Sequence, residues 1–114
     1  MTATRPIITR DPDKVDAVMA KDETIRPFIA SVGEKFINEF GDYLKLFKLQ
    51  YAEDTHGPFL VLIPVLVIKT QLEEYAVTER YKKLSSAWTT DGLLHKSVAI
   101  DVCFAMDFSD AGVV

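Results

Sequence analysis

The chain of 114 residues is long enough for one domain with a substantial core. With 48% apolar and 26% charged residues, its composition excludes an intrinsically disordered protein. A formal net charge of −4 with scattered basic residues argues against a general nucleic-acid binder, and a single cysteine excludes an intrachain disulfide.

The first forty residues predict two helices after a short extended start. Asp11 and Pro12 are typical of a helix N-terminus, and a helix is expected over residues 11–22. The second helix begins after Asp22 or Thr24 and ends at Gly41. Its apolar residues recur at helical spacing: Ile25, Phe28, Ile29, Val32, Phe36, Ile37 and Phe40.

Two strands are predicted next, joined by a turn at residues 54–58. In the first strand, Phe47 and Leu49 alternate with Lys48 and Gln50, which indicates one apolar and one polar face. The second contains ten consecutive apolar residues, Phe59 to Ile68, interrupted by Pro64. That run is too short for a transmembrane helix, so we expect a central strand covered on both faces, with a bulge or break at Pro64.

A third helix and a last strand complete the predicted order. The helix is expected from Leu72 to Trp88, and the strand from Val98 to Phe108 alternates strictly between apolar and more polar positions. These patterns predict an α+β fold in a single domain of residues 1–114. We expect a central, mostly antiparallel sheet packed against two or three helices.

Three residues on the outward side of the last strand are candidates for chemistry. Asp101, Cys103 and Asp107 project from one face, where two carboxylates and a thiol could in principle bind a metal or share a proton. Acidic residues are also what alternation predicts on a solvated strand face, which is the stronger interpretation. We therefore expect Asp101 and Asp107 to be dispensable for folding, and Cys103 to be a buried or half-buried, inert thiol.

No catalytic residue and no metal site is predicted. His56 and His95 are 39 positions apart and lack zinc-like spacing to other ligands, and His56 beside Gly57 and Pro58 is typical of a turn. The basic residues of the run ERYKK are expected on a solvated helix face.

Two stretches resemble a known family over about residues 7–91. IITRDPDKVDAVMAKDETIRPFI resembles the first strand and helix of small, phage-type GCN5-related N-acetyltransferases (GNAT), and HGPFLVLIP followed by VLVIKTQL is similar to their paired central strands. The resemblance implies acetyl-CoA as cofactor. Its pyrophosphate would be bound by the backbone near Lys69, Thr70, Gln71 and Leu72, at the start of the third helix.

The stretch TQLEEYAVTERY departs from that family because it contains no glycine. Glu73 and Glu74 would also lie beside an anionic ligand and repel it. Two hypotheses follow. The first is a non-catalytic interaction or assembly protein on a degenerate acetyltransferase-like scaffold, and the alternative is an acyl-CoA-dependent N-acyltransferase with an atypical pyrophosphate loop.

The expected partner is a second copy of the chain, as a homodimer or higher assembly, or another protein. If helices cover only one side of the sheet, the run Phe59 to Ile68 or the strand beside it needs its remaining cover from another subunit. We expect neither nucleic acid nor membrane as a partner. No segment has the layout of a signal peptide, so a cytoplasmic location is expected.

Overall fold

The computed structural model describes residues 6–86 and 95–106. It contains three helices and five strands, and the α+β class is confirmed. In chain order these are β1 (Ile7–Arg10), α1 (Pro12–Lys21), α2 (Ile25–Phe40), β2 (Leu44–Asp54), β3 (Gly57–Ile68), α3 (Gln71–Ser86), β4 (Val98–Ile100) and β5 (Cys103–Met106). A short 3-10 turn, Gly41–Tyr43, connects α2 to β2.

The strands form one mixed sheet in the order β1-β2-β3-β4, with β5 also paired to β3. Among the strand pairs of the described residues, only β2–β3 is antiparallel, whereas β1 runs parallel to β2, and β4 and β5 run parallel to β3. The sequence had suggested a mostly antiparallel sheet, but the sheet is mixed. The reason lies in the helical connections. Helices α1 and α2 between β1 and β2, and α3 between β3 and β4, return the chain to the end of the sheet at which the preceding strand began, so that the next strand runs parallel to it.

Pro64 interrupts the neighbouring strand and leaves its own strand continuous. The Leu60 N–H donates to the Ser97 carbonyl (2.8 Å), and the Asp101 N–H donates to the Leu62 carbonyl (2.9 Å). Residues 60, 62 and 64 thus turn their backbone polar groups toward β4 and β5, where Pro64 has no N–H to offer. The break predicted in β3 is wrong, and the bulge predicted as its alternative is a register shift in β2, between Leu44 and Leu46, whose partners are Leu66 and Val65. The break falls between β4 and β5, opposite the missing donor.

All three helices pack on the same face of the sheet. Val15 and Val18 of α1, and Val77 and Leu84 of α3, belong to a single buried cluster with the apolar side of α2. The sheet contributes its alternate residues to this cluster: Leu44, Phe47, Leu49, Leu60, Leu62, Leu66, Ile68 and Val98. The core thus lies between one layer of helices and one side of the sheet.

The run Phe59 to Ile68 is not covered on both faces within the described residues. Leu60, Leu62, Leu66 and Ile68 are at most 1% exposed, whereas most of the alternate residues are only half-buried. Ten apolar residues in sequence had predicted two covered faces. In the described residues, α1, α2 and α3 all lie on the first face, and no helix covers the second.

The predicted helices are present, with differences at their ends. Asp11 precedes α1 in a left-handed conformation (φ 53°), and its carbonyl, rather than its side chain, accepts from Lys14 and Val15. Helix α3 begins one residue earlier than predicted, at Gln71, while Trp88, Asp107 and Phe108 lie outside the described residues. Over the ranges described, none of the helices is sufficiently long and apolar to cross a membrane.

Candidate functional site

The side of the sheet opposite the helices, here called the helix-free face, has no helix over it in the described residues. Its middle is a stripe of β3 side chains: Phe59, Val61, Ile63, Val65 and Val67. Of these, Val65 is buried and the other four are half-buried. The strand period of two places the stripe here, because Leu60, Leu62, Leu66 and Ile68 point into the core.

Polar side chains border this stripe on both sides. On the β2 side stand Lys48 and Gln50, paired with Ile63 and Val61, and Arg10 of β1 is paired with Gln50. On the other side lies Asp101. Together they border a shallow depression of about 470 Å³ on the helix-free face.

The structure places two of the three predicted outward residues, Asp101 and Cys103, on the predicted outward face, but the expectation of a buried or half-buried Cys103 is wrong, because its strand face has no covering layer in the described residues. Asp101 and Cys103 are exposed on the helix-free face, and Cys103 is a free thiol beside Val65. Asp107, the third, lies outside the described residues. Within residues 6–86 and 95–106, no group of three His, Cys, Asp or Glu side chains could hold a metal ion. Asp101 and Cys103 therefore contribute to the surface of the helix-free face.

The N-terminus of α3 is the position at which the resemblance implies a pyrophosphate site. The Thr70 hydroxyl accepts from the Glu73 N–H (3.1 Å), and the Thr70 carbonyl accepts from the Glu74 N–H (3.0 Å). In return, the Glu73 carboxylate accepts from the Lys69 N–H (2.8 Å). This reciprocal arrangement is similar to a capping box, except that the Glu73 carboxylate accepts from the N–H of Lys69 and not from that of Thr70.

This capping has a direct chemical consequence for anion binding. The backbone donors of Lys69 and Glu73, which an anion at a helix N-terminus would use, are already bound within the chain. A carboxylate also occupies the positive end of the helix dipole. A bound pyrophosphate would compete with the Glu73 carboxylate for the Lys69 N–H. Gln71 and Leu72 are exposed here, and Leu72 is 81% exposed.

A polar cluster that sequence reasoning missed joins His95 to the turn between α1 and α2. His95 Nε2 lies 2.9 Å from Thr24 Oγ1 and 3.7 Å from an Asp22 carboxylate oxygen. The Asp22 carboxylate accepts from both the hydroxyl (2.5 Å) and the N–H (2.9 Å) of Thr24. The Phe28 ring packs 5.1 Å from the imidazole. Seventy-one positions separate Thr24 from His95, so no local pattern could indicate this contact.

The hydrogen bonds of this cluster do not support nucleophilic catalysis. The Ser97 N–H donates to His95 Nδ1 (3.0 Å), so the proton of the neutral imidazole is on Nε2, facing Thr24. The Thr24 hydroxyl in turn donates to Asp22. A nucleophilic threonine would need the opposite arrangement, with Nε2 free to accept its proton. The cluster instead connects the segment before β4 to the helix layer.

We expect the cluster to contribute stability that depends on pH. The Thr24 hydroxyl, and after it the Thr24 N–H, lowers the pKa of Asp22 from its usual 3.8, and His95 adds a smaller effect. A lowered pKa in the folded state stabilises the fold above pH 3.8, and this contribution is lost as the pH falls through the lowered value. Asp22→Asn should therefore melt at a lower temperature than the parent at neutral pH, and the difference should vanish in acid.

Thermal melts from neutral to strongly acidic pH would test this. Asp42→Asn is the matched control, because Asp42 is exposed on the turn before β2. Its melting temperature should follow that of the parent throughout. A destabilisation by Asp22→Asn that stays constant down to the lowest pH would contradict the proposed role of the Asp22 carboxylate.

Both histidines border one groove of about 430 Å³ at the end of the sheet where β3 begins. His56 lies in the β2–β3 turn, as predicted, and its N–H donates to the Asp54 carboxylate (2.8 Å). Lys96 completes the polar lining beside His95. The fold thus brings together two residues that the sequence separates by 39 positions, without forming a metal cluster in the described part of the chain.

Comparisons with family models, curated proteins and solved structures found no match to this chain. The resemblance to the acetyltransferases therefore stays a prediction.

Proposed function

We propose that this protein is a non-catalytic interaction or assembly protein, and that the helix-free face is its contact surface. The observation that carries the proposal is the β3 stripe. Its side chains lie in the middle of a sheet whose other side forms the core with the helices. The first partner to consider is a second copy of the chain.

The apolar character of the stripe favours association over simple exposure. Surface apolar residues are ordinary when single, whereas a contiguous stripe with a polar rim is typical of an interaction surface. Covering it removes apolar area from water, at about 25 cal/mol for each Å². Lys48, Gln50 and Asp101 on the rim remain in contact with water and oppose non-specific aggregation.

The other two candidate sites favour a binding role over catalysis. At the start of α3, Glu73 already accepts from the backbone donor of Lys69. In the His95 cluster, the proton positions oppose activation of Thr24. These observations support a scaffold whose acetyltransferase-like features, if shared by descent, no longer serve transfer of an acyl group.

Sedimentation velocity across the micromolar range tests the contact surface. The parent should sediment above its 12.8 kDa monomer mass. Val61→Lys places a charge in the middle of the stripe and should shift the protein to the monomer, because a buried unpaired charge opposes close contact. Ala20→Lys is the matched control on the exposed side of α1, and it should associate like the parent.

A parent that sediments as a 12.8 kDa monomer throughout this range would overturn self-assembly. So would unchanged association of a folded Val61→Lys variant. Thermal melting with acetyl-CoA tests the alternative, an acyl-CoA-dependent N-acyltransferase. A ligand at a hundred times its Kd stabilises a protein by about 2.7 kcal/mol, and we expect no such shift. A clear rise in melting temperature would favour the transferase.

A further inference from the structure

Opposite charges flank the stripe at the same level along the strands. Lys48 of β2 is paired with Ile63 of β3. On the other side of β3, Leu62 is paired with Ile100 and Val65 with Cys103, so that Asp101 stands beside Ile63. Lys48, Ile63 and Asp101 thus form one row across the helix-free face.

Both charged side chains of this row are directed away from the core and are exposed. Lys48 lies between Phe47 and Leu49, which are 4% and 3% exposed and point toward the helices. Asp101 follows Ile100, which packs against the core cluster. Two strand spacings separate the two charged residues, or about 10 Å. One border of the stripe is therefore basic and the other acidic.

We propose that two copies pack through their helix-free faces about a two-fold axis that runs parallel to the strands. This inference rests on the proposed function and specifies its geometry. An axis in this direction exchanges the two borders of the sheet and preserves the level along the strands. Lys48 then faces Asp101 of the partner subunit, the same pair forms again by symmetry, and the two Ile63 side chains meet between them.

The distances of sheet packing are compatible with these pairs. Two sheets that pack face to face lie about 10 Å apart. An extended lysine and an aspartate side chain together span such a gap. Each copy would thus contribute one partner to both ion pairs.

The alternative two-fold axis runs across the strands. It would place Lys48 against the Lys48 of the partner subunit, and Asp101 against the partner's Asp101. Both contacts are repulsive, and like charges across an interface select against that arrangement. The charges therefore distinguish between two geometries that the apolar stripe alone would permit equally.

Charge reversal tests the axis. Lys48→Glu and Asp101→Lys each turn two attractive pairs into two repulsive ones, and each variant should raise the dimer Kd about tenfold or more. The double variant restores opposite charges and should return Kd close to that of the parent. Lys83→Glu and Glu34→Lys make matched changes on the exposed side of the helices, and should leave Kd unchanged.

A mixture of the two single variants separates contacts between subunits from contacts within one chain. Each variant alone should dissociate, yet the mixture should form a heterodimer. In that heterodimer, position 48 of the Lys48→Glu chain is acidic and faces position 101 of the Asp101→Lys chain, which is basic. The second pair, between the unchanged Asp101 and Lys48, is attractive as well. An ion pair confined to one chain cannot produce this recovery. All of these differences should shrink as the salt concentration rises.

The outcomes distinguish this inference from the proposed function. If Val61→Lys abolishes association but the single charge reversals leave Kd unchanged, or the double variant fails to recover, the face is confirmed as the interface and the strand-parallel axis is wrong. If the parent is monomeric, both fail. Circular dichroism and a cooperative melt establish for every variant that the chain is folded.

Discussion

Aspartate in place of Leu62 should unfold the protein. Leu62 is 1% exposed and belongs to the cluster between the sheet and the helices. An unpaired charge buried there costs several kcal/mol, against a total stability of about 5 to 15 kcal/mol for a protein of ordinary stability. Circular dichroism and a thermal melt should show the loss of the cooperative transition.

The neighbouring position provides the matched control. Val61 is half-buried on the helix-free face, so the carboxylate of Val61→Asp can reach water in the monomer. At a protein concentration at which parent and variant are both monomeric, that variant should fold and melt cooperatively, with a loss of about 1 kcal/mol that is typical of partly exposed sites. If Leu62→Asp melts like the parent, the assignment of Leu62 to the core side of β3 is wrong.

Phe36→Ala should be the most destabilising of the simple truncations. Phe36 is 0% exposed and stacks on Phe40, with ring centroids 5.4 Å apart. Truncation of a buried phenylalanine to alanine typically costs about 3 to 5 kcal/mol, through lost burial and the cavity left behind. Equilibrium unfolding in urea should report this loss as a lower midpoint with a similar slope.

The same chemical change at Phe104 serves as its control. Phe104 is 37% exposed at the end of the sheet and meets the Tyr81 ring edge-on at 5.6 Å. Part of its surface already contacts water, and truncation opens no closed cavity, so Phe104→Ala should cost about 1 to 2 kcal/mol. Equal losses at the two positions would contradict the placement of Phe36 at the centre of the core.

Local periodicity in the sequence was sufficient for the three helices and for the faces of β2 and of the last strand. The helical spacing in α2 identified its buried residues, Ile25, Ile29, Val32, Phe36 and Phe40. Alternation in β2 correctly placed Phe47 and Leu49 opposite Lys48, and alternation in the last strand placed Asp101 and Cys103 outward. These predictions succeed because the side-chain directions of helices and strands repeat over a few residues, whatever the rest of the chain does.

The functional surfaces were only partly predictable, because they depend on contacts between segments that local periodicity does not describe. The start of α3 was located within one residue, and Glu73 and Glu74 were recognised as unfavourable for an anion. The sequence did not show that Glu73 accepts from the Lys69 N–H, because a cap depends on the backbone geometry between strand and helix. Nor did it show that His95 contacts Thr24, since that contact depends on how two distant segments pack.

The sequence by itself determined which residues are apolar, where the three helices and the antiparallel β2–β3 hairpin lie, and which side of β2 and of the last strand is polar. Only the tertiary structure decided the strand order, the parallel direction of β1, β4 and β5, and the displacement of the break from Pro64 into the last strand. It also decided that Lys48 and Asp101 stand level on either side of Ile63. The physical reason is that strand register arises from hydrogen bonds between segments far apart in the chain. Which segments pair depends on the position to which the intervening helices bring the chain back.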